Sequence, residues 1–339
     1  MSKVTLISVD LAKDVFQVGG FTERLDADFN KQIKRRKLAE FMVQQPPCEV
    51  VMEACYSSHY WARCFEQMGH RVRLLPAQHV TPFVRGNKSD HNDTIAIAEA
   101  SKRPNIIDVP VKTVAQQDIQ SLHRLRDFCV RNRTGLMNQA RGLLAEFGVV
   151  SSQGHKAFLK LLANVVDPES TAISAMLKVQ FRLIKEEYQV LSDRIAGIQK
   201  ELTNVASEQP QCQLLLSIPG IGVINSTAIY SAIGSGTQFK SPREFAVWLG
   251  LTPRQSSSGN SFSSGGITKP GDRYLRKQLV HGARALMYRC LSKNDRLSNW
   301  VNALVARRGF NKACVAMAAR LARLCWVLLQ KNEMYRATA

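Results

Sequence analysis

Four carboxylates in the first hundred residues stand where their side chains can converge. Asp10 closes the apolar run Val4-Thr-Leu-Ile-Ser-Val, and Glu53 closes Glu49-Val-Val-Met. Asp90 and Asp93 lie three apart in Lys-Ser-Asp-His-Asn-Asp, which reads as the first turn of a helix. Positions i and i+3 of a helix project to one side. Carboxylates gathered from two strand ends and a helix face suit a hard divalent cation, Mg2+ or Mn2+. Two such cations about 4 Å apart can clamp the attacking and leaving oxygens of a phosphodiester. Taken singly, Asp90 reads as a helix N-cap and Asp93 as favourable charge near a helix N-terminus. Taken together, the four favour a metal site.

A second chemistry-bearing stretch is Gly250-Leu-Thr-Pro253-Arg254-Gln-Ser256-Ser257-Ser258-Gly259, followed by Ile267-Thr-Lys269-Pro-Gly271-Asp-Arg273-Tyr-Leu-Arg276. Its composition is that of a flexible Ser/Gly-rich loop. Yet Arg254, Lys269, Arg273 and Arg276 flank it closely. A hydroxyl amid such cations can attack phosphorus, because guanidinium groups stabilise the charge that develops. No obvious His/Asp pair lies near the loop, so Ser-His-Asp acyl chemistry is poorly supported. Upstream, Ser217-Ile-Pro219-Gly220-Ile221-Gly222 joins two helical stretches in a helix-hairpin-helix-like pattern. Gly220 and Gly222 would let backbone N–H groups approach phosphate at a helix N-terminus, or simply form a tight turn between core helices. His59, His79, His91 and His281 show no zinc-ligand spacing.

The elements that must position these residues follow from pattern. Val4–Val9, Val15–Val18, Glu49–Glu53 and Arg71–Leu75 read as strands. Tyr60–Met68 and Asp90–Ser101 read as helices, so a mixed sheet covered by helices is expected. Residues 114–147 carry a helical apolar spacing at Leu136, Ala140, Leu143, Leu144 and Phe147, with Arg124, Arg126, Arg131, Arg133 and Arg141 on the surface. A second long helix spans roughly 171–203. Its Leu177, Phe181, Ile184, Tyr188, Leu191, Ile195, Ile198 and Leu202 alternate in steps of four and three, a heptad seam. That seam can pair within the chain or with a second protomer, and some contribution to oligomerisation is expected. Beyond Gln209-Pro210 the chain reads as mostly helical, including Arg273–Leu291 and Lys312–Leu329, with a Ser/Gly-rich interruption at 256–266. The predicted domains are 1–110, 111–208 and 209–339.

The net charge of +19 over 339 residues is unevenly spread. Residues 1–100 hold 13 Lys and Arg against 12 Asp and Glu, whereas residues 240–339 hold 18 against 4. A basic last third points to a polyanion, and with a phosphoryl-transfer site that means nucleic acid. The eight cysteines form no Cys-x-x-Cys pair and read as small core residues in a reducing cytoplasm. Met1-Ser-Lys leads straight towards a strand, so no signal peptide is expected. Arg323 interrupts the most apolar late stretch, which argues against a membrane span.

These residues resemble the DEDD transposases of the insertion sequence 110 family, also called Piv-like. The resemblance rests on seven motifs in order: Ser-Val-Asp10-Leu-Ala-Lys, Met-Glu53-Ala, Lys-Ser-Asp90-His-Asn-Asp93, Ile-Pro-Gly-Ile-Gly, Gly-Leu-Thr-Pro-Arg, Ser-Gly and Ile-Thr-Lys-Pro-Gly-Asp-Arg-Tyr-Leu-Arg. The last, continued through Gly-Ala-Arg-Ala, looks like the 1111 subgroup. The resemblance implies an α/β RuvC-like domain of RNase H fold, a helical coiled-coil arm and a mainly α C-terminal transposase domain. It implies Mg2+ on Asp10, Glu53, Asp90 and Asp93, and a serine that joins covalently to DNA. Counting past Pro253 to the serine directly before glycine gives Ser258 as nucleophile, with Ser257 as the alternative. It further implies a structured non-coding bridge RNA, DNA element ends and target as partners, a dimeric or tetrameric homo-oligomer, and a bacterial cytoplasm with nucleoid association. In such oligomers the RuvC-like domain of one protomer faces the serine of another. The chain departs from the pattern at Phe262-Ser-Ser-Gly-Gly and at Pro270, where relatives often carry basic residues.

Three functions follow. The first is an RNA-guided recombinase that moves its own element through a phosphoserine. The second is a RuvC-like junction nuclease that cuts with activated water and forms no covalent intermediate. The third is a non-catalytic nucleic-acid scaffold.

Overall fold

The computed structural model describes residues 4–87, 89–259, 261–290 and 295–336. Residues 1–3, Asn260 and Leu291, the expected end of one late helix, lie outside the described residues. Contacts divide the chain into two units: residues 1–115 with 236–244, and residues 116–235 with 245–339.

The first unit is built on strands β1 (Leu6–Asp10), β2 (Val15–Phe21), β3 (Ala27–Lys34), β4 (Glu49–Glu53) and β5 (Arg71–Leu75), in the order β3-β2-β1-β4-β5. The first three run as an antiparallel meander, while β1/β4 and β4/β5 are parallel. Helices α1 (Arg35–Val43) and α2 (Ser58–Gln67) cover one face, and α4 (Asp90–Ser101) covers the other after the short α3 (Ala77–Val80). Strand alternation explains the layering. Ile7, Val9, Phe16, Val18, Val50 and Met52 pack with Leu38, Met42, Trp61 and Phe65 on the α1/α2 side. Leu6, Phe21, Val51 and Leu75 pack with Ala96, Ile97 and Ala100 on the α4 side. β1 and β4 are read from sequence as apolar runs, and β5 as a strand. β3 and α1 are missed there, because β3 is an edge strand whose only buried residue is Ile33. Arg73 ties β5 to its surroundings: it grips Asp108 with two nitrogens at 2.8 and 3.0 Å and reaches Glu49 at 3.2 Å.

The second unit begins with α5 (Val114–Ala145), α6 (His155–Val166) and α7 (Ala175–Glu208). The heptad seam of α7 is satisfied within the chain. Phe181 and Tyr188 join Met137, Ala140 and Leu144 of α5 and Phe158 and Leu162 of α6. Ile198 and Leu202 meet Ile119 near the opposite end of α5, so α5 and α7 run antiparallel. α6 lies between sequence turn signals and is not anticipated. The remaining helices are α8 (Pro210–Leu216), α9 (Val223–Ile233), α10 (Pro242–Trp248, at a unit boundary), α11 (Arg273–Cys290), α12 (Arg296–Arg308) and α13 (Phe310–Lys331). α13 is the one helix among the described residues long and apolar enough to cross a membrane, and half of its apolar window is buried within this structure.

The expected Ser/Gly loop is instead a β-hairpin: β6 (Pro253–Ser258) pairs antiparallel with β7 (Ser261–Ile267). Serine and glycine have low strand propensity, but two legs held together at their base let the ladder form. All eight cysteines are unbridged.

Candidate active site

Asp10 sits at the end of β1, on the same sheet face as Leu6, and Glu53 sits at the end of neighbouring β4, on the face of Val51. That is the face covered by α4. α4 begins at Asp90, so its first turn presents Asp90 and Asp93. Carboxylate oxygens of Asp10, Asp90 and Asp93 all lie within 4.8 Å of one another. Glu53 is outside this group, though its charge and that of Asp10 both reach Cys55. Burial, aided by those charges, pushes the Cys55 thiol up to about 11. Three oxygen donors at this spacing fit a hard divalent cation.

The N-cap of α4 is Ser89, whose hydroxyl accepts from the Asn92 N–H at 3.3 Å. Asp90 is therefore not the cap, and its side chain is not committed to that role. A polar chain fixes α4 against the sheet edge. Gln17 donates to Asn30 at 2.6 Å, Asn30 donates to the Thr94 hydroxyl at 2.9 Å, and Thr94 donates to the His91 carbonyl at 2.8 Å. Gln17 is the β2 partner directly opposite Asp10. Sequence reading overlooks Gln17, Asn30 and Thr94 because isolated amides and hydroxyls carry no motif. A groove of about 640 Å³ lined by Gln17, Asn30, Lys31, Gln32, Ser89, Asp90 and His91 opens beside them.

In the second unit, Ser257 and Ser258 are exposed and lie on β6. Successive strand residues face opposite ways. Ser258 pairs with Ser261 and Ser256 with Ser263, a hydroxyl-bearing face. Ser257 pairs with Phe262, whose ring is exposed, on the reverse face. Arg254, Lys269 and Arg273 are exposed around the hairpin. Arg276 differs: its Nη1 donates to the carbonyls of Leu249 at 2.9 Å and Pro270 at 2.8 Å. It clamps the base of the hairpin. Gly271 completes that base at φ +71, where a Cβ would stand 1.9 Å from the Trp248 carbonyl oxygen.

Two family models match this chain: a DEDD transposase model of the IS110 group over residues 9–148, and the transposase IS116/IS110/IS902 family over residues 212–299. A probable family 20 transposase of Pseudomonas aeruginosa is 43% identical, over 97% of this chain and 98% of its own. The transposase for insertion sequence element IS1111A of Coxiella burnetii is 39% identical over 100% and 93%. That for IS1328 of Yersinia enterocolitica is 37% identical over 99% of each. The chain belongs to the IS110/IS116/IS902 family of insertion-sequence transposases.

In this transposase the glycines of the Ile-Pro-Gly-Ile-Gly turn divide their roles. Gly220, at φ +91, lies against α11, where its added Cβ would meet the Leu286 Cβ at 3.1 Å and the Gly282 carbonyl at 3.2 Å. Gly222 caps α9 and has open space around it. Close by in sequence stands a buried polar chain that motif reading misses. Thr227 donates its proton to the Val223 carbonyl at 2.6 Å, so it accepts from Nε2–H of His123 at 3.0 Å. Nδ1 then accepts from the Tyr274 hydroxyl at 3.0 Å. Burial, with the charge of Arg126, brings His123 down to about 4. Burial raises the Tyr274 phenol to about 12. The transposase thus joins α5, α9 and α11 through a neutral imidazole, beside Arg273 in sequence.

Proposed function

We propose that this transposase cuts and rejoins DNA through a covalent phosphoserine, guided by a structured bridge RNA from its own element. The observation that carries the reading is the meeting of Asp10, Asp90 and Asp93 within 4.8 Å in a chain of this family. The strand order β3-β2-β1-β4-β5 supports reading the N-terminal sheet as a RuvC-like domain of RNase H fold. Residues 111–208 are then the helical arm, and 209–339 the transposase domain with its helix-hairpin-helix-like turn.

Asp10, Asp90 and Asp93, together with Glu53 at the end of neighbouring β4, are the residues that would hold Mg2+ or Mn2+. Bound there, the metal supplies Lewis-acid stabilisation of charge on phosphate oxygens. The Ser258 hydroxyl attacks DNA phosphorus, the bond from phosphorus to the 3′ oxygen breaks, and loss of the serine proton is balanced by protonation of the departing 3′ oxygen, which leaves as a hydroxyl. Rejoining reverses the exchange. The phosphoserine conserves the bond energy, so ATP is not consumed, in keeping with the lack of a Gly-x-x-x-x-Gly-Lys-Ser/Thr phosphate loop. Arg254, Lys269 and Arg273 neutralise backbone phosphates, while base pairing reads sequence. The protein acts as a homo-oligomer, a dimer or tetramer, at the bacterial nucleoid.

The test is a denaturing gel after incubation with Mg2+, element-end DNA and the flanking transcript. A covalent adduct is expected, lost in Ser258→Ala and kept in Ser257→Ala. The opposite pattern moves the nucleophile to Ser257. Cleavage without any adduct replaces the reading with the junction nuclease.

A further inference from the structure

The first unit carries a second groove, on the sheet face opposite the carboxylates. It measures about 760 Å³ and is lined by Lys34, Arg35, Arg36, Tyr60, Trp61 and Asp14, among others. Its cations come from the end of β3 and the first residues of α1. Among the described residues none of these three forms an ion pair. Arg35 is held in place by its surroundings. Its guanidinium lies 5.5 Å from the Phe16 ring centroid and 5.6 Å from that of Trp61, and Nη1 donates to the Lys13 carbonyl at 3.4 Å. Tyr60 is 53% exposed and meets Trp61 edge-on, with centroids 5.3 Å apart. Trp61 is 5% exposed, and its indole N–H has no acceptor among the described residues.

We propose that this groove binds a single-stranded nucleic acid, with Lys34, Arg35 and Arg36 on its phosphates and a base stacked on Tyr60. Unpaired cations attract a polyanion, and a half-exposed phenol braced from below offers a π-face. Bases inside a duplex cannot reach such a face. Asp14, an acceptor only, repels phosphate from its end of the groove and suits the amino group of a base. The inference does not depend on the serine or on the metal.

The test uses the full chain in EDTA with 12-nucleotide strands, 4-thiouridine RNA and 4-thiothymidine DNA, each alone and annealed to its complement. After irradiation, crosslinked peptides are mapped by mass spectrometry. Crosslinks within residues 56–63 are expected from single strands. Tyr60→Ala should lower their yield about tenfold, while Tyr60→Phe, which keeps the ring, retains it. The Lys34→Gln/Arg36→Gln pair should lower it with an unchanged melting curve. Crosslinks from RNA alone would assign the strand to a transcript, and crosslinks from DNA alone to a displaced DNA strand; either supports the site. Crosslinks confined to residues 245–290, or equal yields from duplex and single strand, overturn it.

Discussion

Three carboxylates within 4.8 Å repel one another whenever all are ionised. The folded chain holds that repulsion in place because β1 and α4 are packed against each other in a shared core. Relieving it should stabilise: Asp93→Asn is expected to melt at or above the parent temperature without metal. With Mg2+ the order should reverse, since the parent gains binding energy that the variant loses. Adduct formation by Asp10→Asn or Asp93→Asn should fall more than about a hundredfold. Thermal melts with and without Mg2+, alongside the adduct gel, check both statements. His123 gives a second residue-scale expectation. Its folded value near 4 lies below the ordinary 6.5, so the unfolded chain binds the extra proton between those limits. Stability is therefore full above about pH 6.5 and falls as the pH drops towards 4, by about 3 kcal/mol at most. Denaturant unfolding from pH 7 to pH 4.5 should show that slope, and His123→Gln should flatten it. The cluster of Asp10, Asp90 and Asp93 was legible in sequence because Asp10 closes an apolar run and Asp90 and Asp93 stand in the first turn of a helix; Glu53, grouped with them on the same kind of signal, lies outside it. Gln17, Asn30 and His123 were not legible, because their roles exist only once distant strands and helices meet.

At the scale of elements, legibility followed burial. β1 and β4 are buried along most of their length and announce themselves as apolar runs, and the α7 seam does so by its heptad spacing. β3 alternates too weakly, having one solvent-facing side and an open edge. The hairpin was read as a loop because its residues carry no apolar signal; its order comes from its base. There Arg276 bonds the carbonyls of Leu249 and Pro270, and Gly271 admits the Trp248 carbonyl. Arg276→Lys keeps the charge but loses the planar guanidinium that fixes Nη1 between the two carbonyls. It should therefore lower adduct yield at least about tenfold while duplex DNA affinity changes less than about threefold. Gly271→Ala meets both a positive φ and a backbone clash, and should cost about 2–4 kcal/mol. Limited proteolysis within 250–275 would report the loosened base in both variants.

At the scale of the molecule, charge by region proved an incomplete guide. The last hundred residues carry most of the net excess, as sequence suggested. The first hundred look neutral only on average: Lys31, Lys34, Arg35, Arg36 and Lys37 fall within seven residues, and acidic residues elsewhere balance the total. Duplex binding should follow the basic last third. With about six phosphate contacts its affinity should drop roughly a thousandfold between 50 and 200 mM salt. Replacing Arg254, Lys269 and Arg273 together by Gln should make the log–log slope shallower by roughly three. Fluorescence anisotropy across a salt series measures both; an unchanged slope would remove these three cations from the duplex interface. The intramolecular pairing of α5 with α7 was one of two arrangements open from sequence, and only assembled packing could choose between them.

The two-fold alternation of β6 has an evolutionary consequence. Ser257 and Ser258 are neighbours in sequence yet look out from opposite sides of the hairpin. Losing or gaining one residue between Pro253 and Gly259 would swap which hydroxyl occupies the Ser258 side instead of shifting it gradually. A run of three serines, Ser256 to Ser258, keeps a hydroxyl on that side after either event. Such a run would buffer a mobile element against single-codon slippage at the serine proposed as its nucleophile.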